Sequence, residues 1–163
     1  MIVFGTGTRQ IITAPYDEKN ACYQTARAWL AAHKPDLVIS GMAEGWDTLV
    51  ASAAIELGIP FDAYVPNRGY GDYYWGRKSL TGVNRLHDFE AILRQARRVV
   101  YSNETHNTRD LYIDGVHMNF IRNHDMVLVS DMGIAWAPSS KGTSECIRYA
   151  KSMGVPVEIL GGE

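Results

Sequence analysis

At 163 residues the chain has about the length of one domain and can bury a core without disulfides or a structural metal. Its hydrophobic share of 46% excludes extended disorder, and its net charge of -2 argues against the broad basic surface that non-specific nucleic-acid binding needs. Cys22 and Cys146 lie far apart without Cys/His ligand spacing, which excludes a disulfide framework and a zinc motif; no metal site is expected. No apolar run reaches membrane-spanning length and no secretory leader is legible, so a single cytoplasmic domain over 1–163 is expected.

Short β-branched runs alternate with segments of helical period, the pattern of βαβ units on a parallel sheet. In chain order, strands are expected at 2–4, 37–39, 61–65, 98–101, 133–137 and 157–160. These suit a Rossmann-like α/β three-layer sandwich with a mostly parallel sheet of six strands. The first helix is expected over 18–33, with Asp17 as N-cap and Ala21, Thr25, Ala28, Trp29 and Ala32 facing inward. A second follows over 46–57, buries Leu49, Val50, Ala53, Ala54 and Leu57, and stops at Gly58 and Pro60. The third spans 85–97 with Phe89, Ile92, Leu93 and Ala96 inward, and the fourth 116–129 with His117, Phe120, Ile121 and Val127 inward. The last spans 143–153, turns Cys146, Ile147, Ala150 and Met153 to the core, and ends at Gly154 and Pro156. Residues 66–84 and 102–115 read as long irregular connections of the kind that carry function.

In an open parallel sheet, the loops leaving the carboxyl ends of the strands share one edge, where ligands collect. After the first strand come Gly5, Thr6, Gly7, Thr8 and Arg9. Glycine lets backbone approach an anion and Thr6 and Arg9 supply donors, although a tight turn with an exposed arginine explains the same string. After the second come Ser40, Gly41, Met42, Ala43, Glu44, Gly45, Trp46 and Asp47, entering a helix whose free amides and dipole favour phosphate. Asp47 is either a site carboxylate or an ordinary first-turn acid, and Glu44 either joins it or is simply solvated. After the fifth come Ser139, Ser140, Lys141, Gly142, Thr143, Ser144 and Glu145, a second anion cradle. Glu145 reads equally as a first-turn residue behind a Thr143 or Ser144 N-cap. Asn119, Arg122 and Asn123 share a polar face of the preceding helix. His117 and His124 lack the adjacent-turn spacing of zinc ligands and read as structural. The segment from Arg68 to Arg85, with Tyr70, Tyr73, Tyr74 and Trp75, reads either as a lid that stacks on a base or as a subunit contact.

The strings VISGMAEGWDTLVASAAIELGIPFDAYVP and RNHDMVLVSDMGIAWAPSSKGTSECIRYAKSMGVPV resemble the SLOG superfamily of Rossmann-like domains. Within it they are most similar to the YpsA-like branch, with its GMA-G-D turn, RN helix and GT-YA ending. The superfamily also holds the DprA single-strand DNA-binding proteins and the LOG phosphoribohydrolases, so the resemblance implies a nucleotide-derived ligand rather than one activity. In the LOG pattern a helical arginine and a glutamate after PGGxGT act in catalysis, and Arg122, Pro138, Gly142, Thr143 and Glu145 match parts of it. Ser139 and Ser140 replace the paired glycines, and Cys146 stands where the motif's final glutamate falls, which lowers the expectation of hydrolysis.

Two functions are expected. The first is a sensor or binding domain for a nucleotide or nucleotide-derived phosphorylated small molecule, with no cofactor required. Its ligand would lie among Gly5, Thr6, Gly7, Arg9, Ser40, Gly41, Met42, Ala43, Gly45, Asp47, Asn123, Ser139, Ser140, Lys141, Gly142 and Thr143. The alternative is a hydrolase of the N-glycosidic bond in nucleoside 5′-monophosphates, in which Glu145, Asp47 or Glu44 assists water while Arg9 and Arg122 hold phosphate. The expected partners are that ligand and further copies of the chain, as a homodimer or larger oligomer, with Trp29, Met118 and Met126 as contacts or as core. Neither a membrane nor nucleic acid is expected as a partner.

Overall fold

The computed structural model describes residues 1–11 and 20–162. In chain order these form β1 (Ile2–Gly7), α1 (Ala21–His33), β2 (Leu37–Ser40), α2 (Trp46–Glu56), β3 (Phe61–Val65), α3 (Leu86–Leu93), β4 (Arg98–Tyr101) and α4 (Ser102–Thr105). There follow β5 (Tyr112–Ile113), β6 (Val116–His117), α5 (Met118–Leu128), β7 (Met132–Trp136), α6 (Lys141–Ser152) and β8 (Val157–Gly161). Among the described residues, six strands make one wholly parallel sheet in the order β4-β3-β2-β1-β7-β8. The chain winds one way from β1 through β4 and then returns to lay β7 on the opposite side of β1. This is the expected Rossmann-like arrangement.

Alternation along the strands sends Val3 and Val38 into a cluster with α1, α2 and α3, while Phe4 and Ile39 meet Met126, Val127, Cys146 and Ala150 of α5 and α6. Helices therefore cover both faces of the sheet. In α2 the burial is continuous from Trp46 to Ala54 rather than confined to one stripe. The helix lies between its neighbours and the sheet, and Thr48 and Ser52 direct their hydroxyls to the carbonyls of Gly45 and Thr48.

The helix boundaries and phases differ from expectation in instructive ways. Asp17 and the first residues of the expected α1 lie outside the described residues; the observed N-cap is Asn20, whose side chain accepts the amide of Cys22 at 2.7 Å. Tyr23, Ala26, Trp29 and Leu30 are the inward residues of α1, whereas Ala21, Ala28 and Ala32 are exposed. Large side chains bury more apolar area than alanines and so decide which way the helix faces. In α5 the N-cap is His117, whose Nδ1 accepts the Asn119 amide at 3.0 Å, so it is not an inward apolar position. Helix α6 starts at Lys141 behind Ser140, which places Thr143 and Ser144 inside the helix and Glu145 in its second turn. Met153 is surface rather than core. Trp29, Met118 and Met126 are all buried within the fold, which withdraws them as contacts between copies.

The two long connections are partly ordered. Gly71–Arg77 forms a π-helical turn, and α4 with the β5–β6 hairpin occupies much of 102–117. The hairpin closes on Asp114 and Gly115, at φ 49° and 79°, the pair of left-handed residues a two-residue turn requires.

Candidate functional site

The reversal of strand order between β1 and β7 leaves the loops after these strands to diverge to opposite faces, and a crevice opens between them. A cavity of about 340 Å³ occupies this place. Five stretches of chain line it: Thr6, Gly7, Thr8, Arg9 and Gln10; Ala43 and Asp47; Tyr70, Tyr74 and Leu80; Asn119, Phe120, Arg122 and Asn123; and Ser140, Gly142 and Thr143. Residues far apart in sequence, expected at the site from four separate motifs, thus line one cavity.

Asp47 sits at the centre of the electrostatics. It is 5% exposed, and burial lifts its pKa from 3.8 to about 6, against the opposing pull of Arg122, the amides of Ala43 and Gly7 that donate to it, and Arg9. Two backbone amides from the glycine-bearing loops are therefore directed at a carboxylate of the protein itself. Arg122 is also buried and held on fixed partners: Nη1 donates to the Gly41 carbonyl, Nε donates to Asn123 Oδ1 at 2.8 Å, and the guanidinium lies over the Tyr70 ring. A side chain at Gly41 would stand 2.8 Å from Asp47 Oδ2 and 3.1 Å from Arg122 Nε, so only glycine leaves this pair intact.

Arg9 differs from Arg122. Its Nε and Nη2 are buried but make no hydrogen bond among the described residues; the Tyr74 ring lies 5.1 Å away, and Glu44 stands 4.0 Å from Nη2, beyond hydrogen-bond reach. On the opposite wall, α6 begins without a side-chain cap, because the Ser140 hydroxyl donates to Thr143 Oγ1 at 2.6 Å rather than accepting a helix amide. First-turn amides without such a cap, together with the helix dipole, form an anion-binding end.

Other residues expected at the site have different places. Gly5 lies inside β1 against Val50, and Gly45, at φ 95°, lets the β1 and β2 loops touch: an added Cβ would stand 2.4 Å from the Thr8 carbonyl. The Ser40 hydroxyl donates to the Asp47 carbonyl and accepts from the Met42 amide. Met42 is fully buried at φ 60°, and its carbonyl accepts from Trp75 Nε1. Ser139 is exposed, and Lys141 lines a neighbouring cavity. Glu145 does not line the central cavity; it pairs with His124 across α5 and α6. Glu44 is not solvated but 1% exposed, binding Arg85 at 3.0 Å, the Ser79 hydroxyl at 3.0 Å and the Leu80 amide at 3.1 Å. Through these bonds and the Trp75 anchor, the aromatic segment is a pinned wall of the cavity rather than a loose lid. Gln10 and Leu80 carried no signal in the sequence, since a glutamine and a leucine in loops declare nothing until the fold surrounds them.

No group of three or more His, Cys, Asp and Glu residues suited to a metal occurs among the described residues, and none of their helices is long and apolar enough to cross a membrane. No family model and no curated protein matches the chain. Solved structures do. The structural-genomics target TM1055 aligns over 96% of this chain and 71% of its own at a TM-score of 0.58 and 19% identity. DNA processing protein A of Streptococcus pneumoniae aligns over 96% and 49% at 0.60 and 16% identity. The chain shares their fold. The same protein from Helicobacter pylori, described for its single-stranded DNA binding mode, aligns over 98% of this chain and 64% of its own at 0.61 and 21% identity. The chain thus spans 49% of one DNA processing protein and 64% of the other.

Proposed function

We propose that the chain is a SLOG-type domain, of the YpsA-like kind, that binds a nucleotide or nucleotide-derived phosphorylated small molecule in the cavity between the β1 and β7 loops. One observation carries this proposal: the uncapped start of α6 and the Arg9 guanidinium, with two nitrogens that make no hydrogen bond among the described residues, line the same cavity at the switch point of the sheet. Phosphate would satisfy both. The cavity falls at the lower end of the roughly 300–1,000 Å³ typical of small-molecule sites, and Tyr70, Tyr74 and Phe120 offer aromatic surface beside its polar groups. Calorimetry against a panel of nucleoside mono-, di- and triphosphates should show micromolar or tighter binding, weakened by Arg9→Ala, while unphosphorylated nucleosides are indifferent to that change. Silence across the panel, or an Arg9→Ala protein that binds as well as the parent, would reject the proposal.

Asp47 supports a second reading. A cavity carboxyl whose pKa lies near 6 can exchange a proton near neutral pH, as hydrolysis of an N-glycosidic bond in a nucleoside monophosphate requires. On that reading Asp47, rather than Glu145, acts on the water, with Arg122 and Arg9 facing the phosphate. Incubation with AMP and chromatography for free adenine tests it: release abolished by Asp47→Asn supports hydrolysis, and no release from a protein that binds AMP leaves recognition alone.

A further inference from the structure

A second cavity, of about 400 Å³, adjoins the first. The two share Tyr74, Asn119 and Phe120, and Asn119 Nδ2 donates to the Tyr74 hydroxyl at 3.0 Å in their common wall. Beyond that wall the lining comes from the β5–β6 hairpin, which contributes Tyr112, Gly115 and His117, and from Lys141 at the first position of α6. The hairpin holds Tyr112 and His117 as cross-strand partners, with their rings edge to face at 5.0 Å. Tyr112 is 57% exposed, an open aromatic surface of the kind on which a planar ring stacks. His117 cannot turn away freely, because its Nδ1 holds the Asn119 amide as the cap of α5.

Each feature is ordinary alone; their order along the surface is not. The first cavity supplies the α6 amides and Arg9, suited to a phosphate. The shared wall carries the Asn119 amide, whose bond to Tyr74 uses only one of its two hydrogens. The second cavity supplies an aromatic pair and an ammonium group. A nucleoside monophosphate presents one anionic group and one base, and it leaves the aromatic hairpin or the central aromatic wall without a ring. A molecule with two base-bearing units joined through phosphate presents a ring to each.

Resting on the nucleotide-site reading above, we propose that the two cavities form one bipartite site for a dinucleotide-type ligand, with a phosphate-bearing unit in the switch-point cavity and a second base against Tyr112 and His117. The linking phosphate would cross near Asn119 and Lys141. Such chemistry occurs in free dinucleotides joined through pyrophosphate and in successive nucleotides of a single strand. The experiment must separate these sources.

Calorimetry with the full chain compares AMP, diadenosine diphosphate and a single-stranded deoxythymidine decamer, on the parent, Tyr112→Ala and Tyr112→Phe. At least one two-base probe is expected to bind roughly tenfold more tightly than AMP, the gain typical of one stacked base. Tyr112→Ala should remove that gain and leave AMP affinity unchanged, while Tyr112→Phe, which keeps the ring, should retain it. A gain for diadenosine diphosphate assigns the site to a free dinucleotide, and a gain for the decamer alone assigns it to a strand. If AMP binds and neither probe gains, or if Tyr112→Ala leaves the gain intact, the bipartite site is refuted and the phosphate site stands. If nothing binds, both fall together. Thermal unfolding of Tyr112→Ala at the parent temperature confirms that the exposed substitution leaves the fold intact.

Discussion

Replacing Asp47 by asparagine tests the electrostatics of the cavity. The carboxyl is buried, and folding lifts its pKa from 3.8 to about 6 even with Arg122 and two donated amides beside it. An acid whose pKa rises on folding holds its proton more tightly in the native state. Between the two values the folded protein therefore carries more protons than the unfolded chain, and stability falls as pH rises through that window. The displacement corresponds to about 3 kcal/mol, present in full below the unfolded value and lost above about pH 6. Asparagine keeps an oxygen that can accept from Ala43 or Gly7 but does not titrate. Urea unfolding of parent and variant at fixed ionic strength, from about pH 4 to 7, isolates Asp47, since the other carboxylates cancel in the difference. The stability of Asp47→Asn minus that of the parent is expected to rise across this range by about 2 kcal/mol, the remainder of the displacement lying below pH 4. A flat difference would show that burial does not dominate, and a falling one would show that the attraction of Arg122 outweighs it.

Two further outcomes follow from buried groups. Glu44→Ala removes the shared acceptor of Arg85, Ser79 and Leu80 and should cost about 3 kcal/mol in urea unfolding, near the low end for a broken buried pair because Asp88 still faces Arg85. Limited proteolysis should then cut within 79–85 sooner than in the parent, and unchanged protection would contradict the pinned wall. Cys146 is fully buried, and desolvation pushes its pKa up to about 12, so iodoacetamide at pH 8 should spare it in the native protein and modify it in urea. Mass spectrometry reads the site, and native labelling of Cys146 would overturn its placement on the sheet-facing side of α6.

The β-branched runs separated by helical segments were enough to place every strand of the parallel sheet, because strands buried on both faces must be short, apolar and continuous. Helix phases were less legible. In α1 the alanine spacing points one way and Tyr23, Trp29 and Leu30 another, and the larger side chains prevail. The β5–β6 hairpin falls where an irregular connection and the start of a helix were expected, although Asp114-Gly115 between Tyr-Ile and Val-His carries a two-residue turn signal.

Local chemistry alone determined which loops lead to the crevice: glycines, small hydroxyl residues and helix starts after β1, β2 and β7 mark the carboxyl edge of any doubly wound sheet. Which atoms are available there was decided only by tertiary contact. Arg9 and Arg122 look alike in the chain, yet Arg122 is held by Gly41 and Asn123 while two nitrogens of Arg9 make no hydrogen bond among the described residues. Glu44 and Glu145 look equally available, yet one ties down the aromatic wall and the other turns to His124. Gly41 reaches Arg122 and Arg85 reaches Glu44 from elements dozens of residues away, and local sequence carries no record of which of them will arrive.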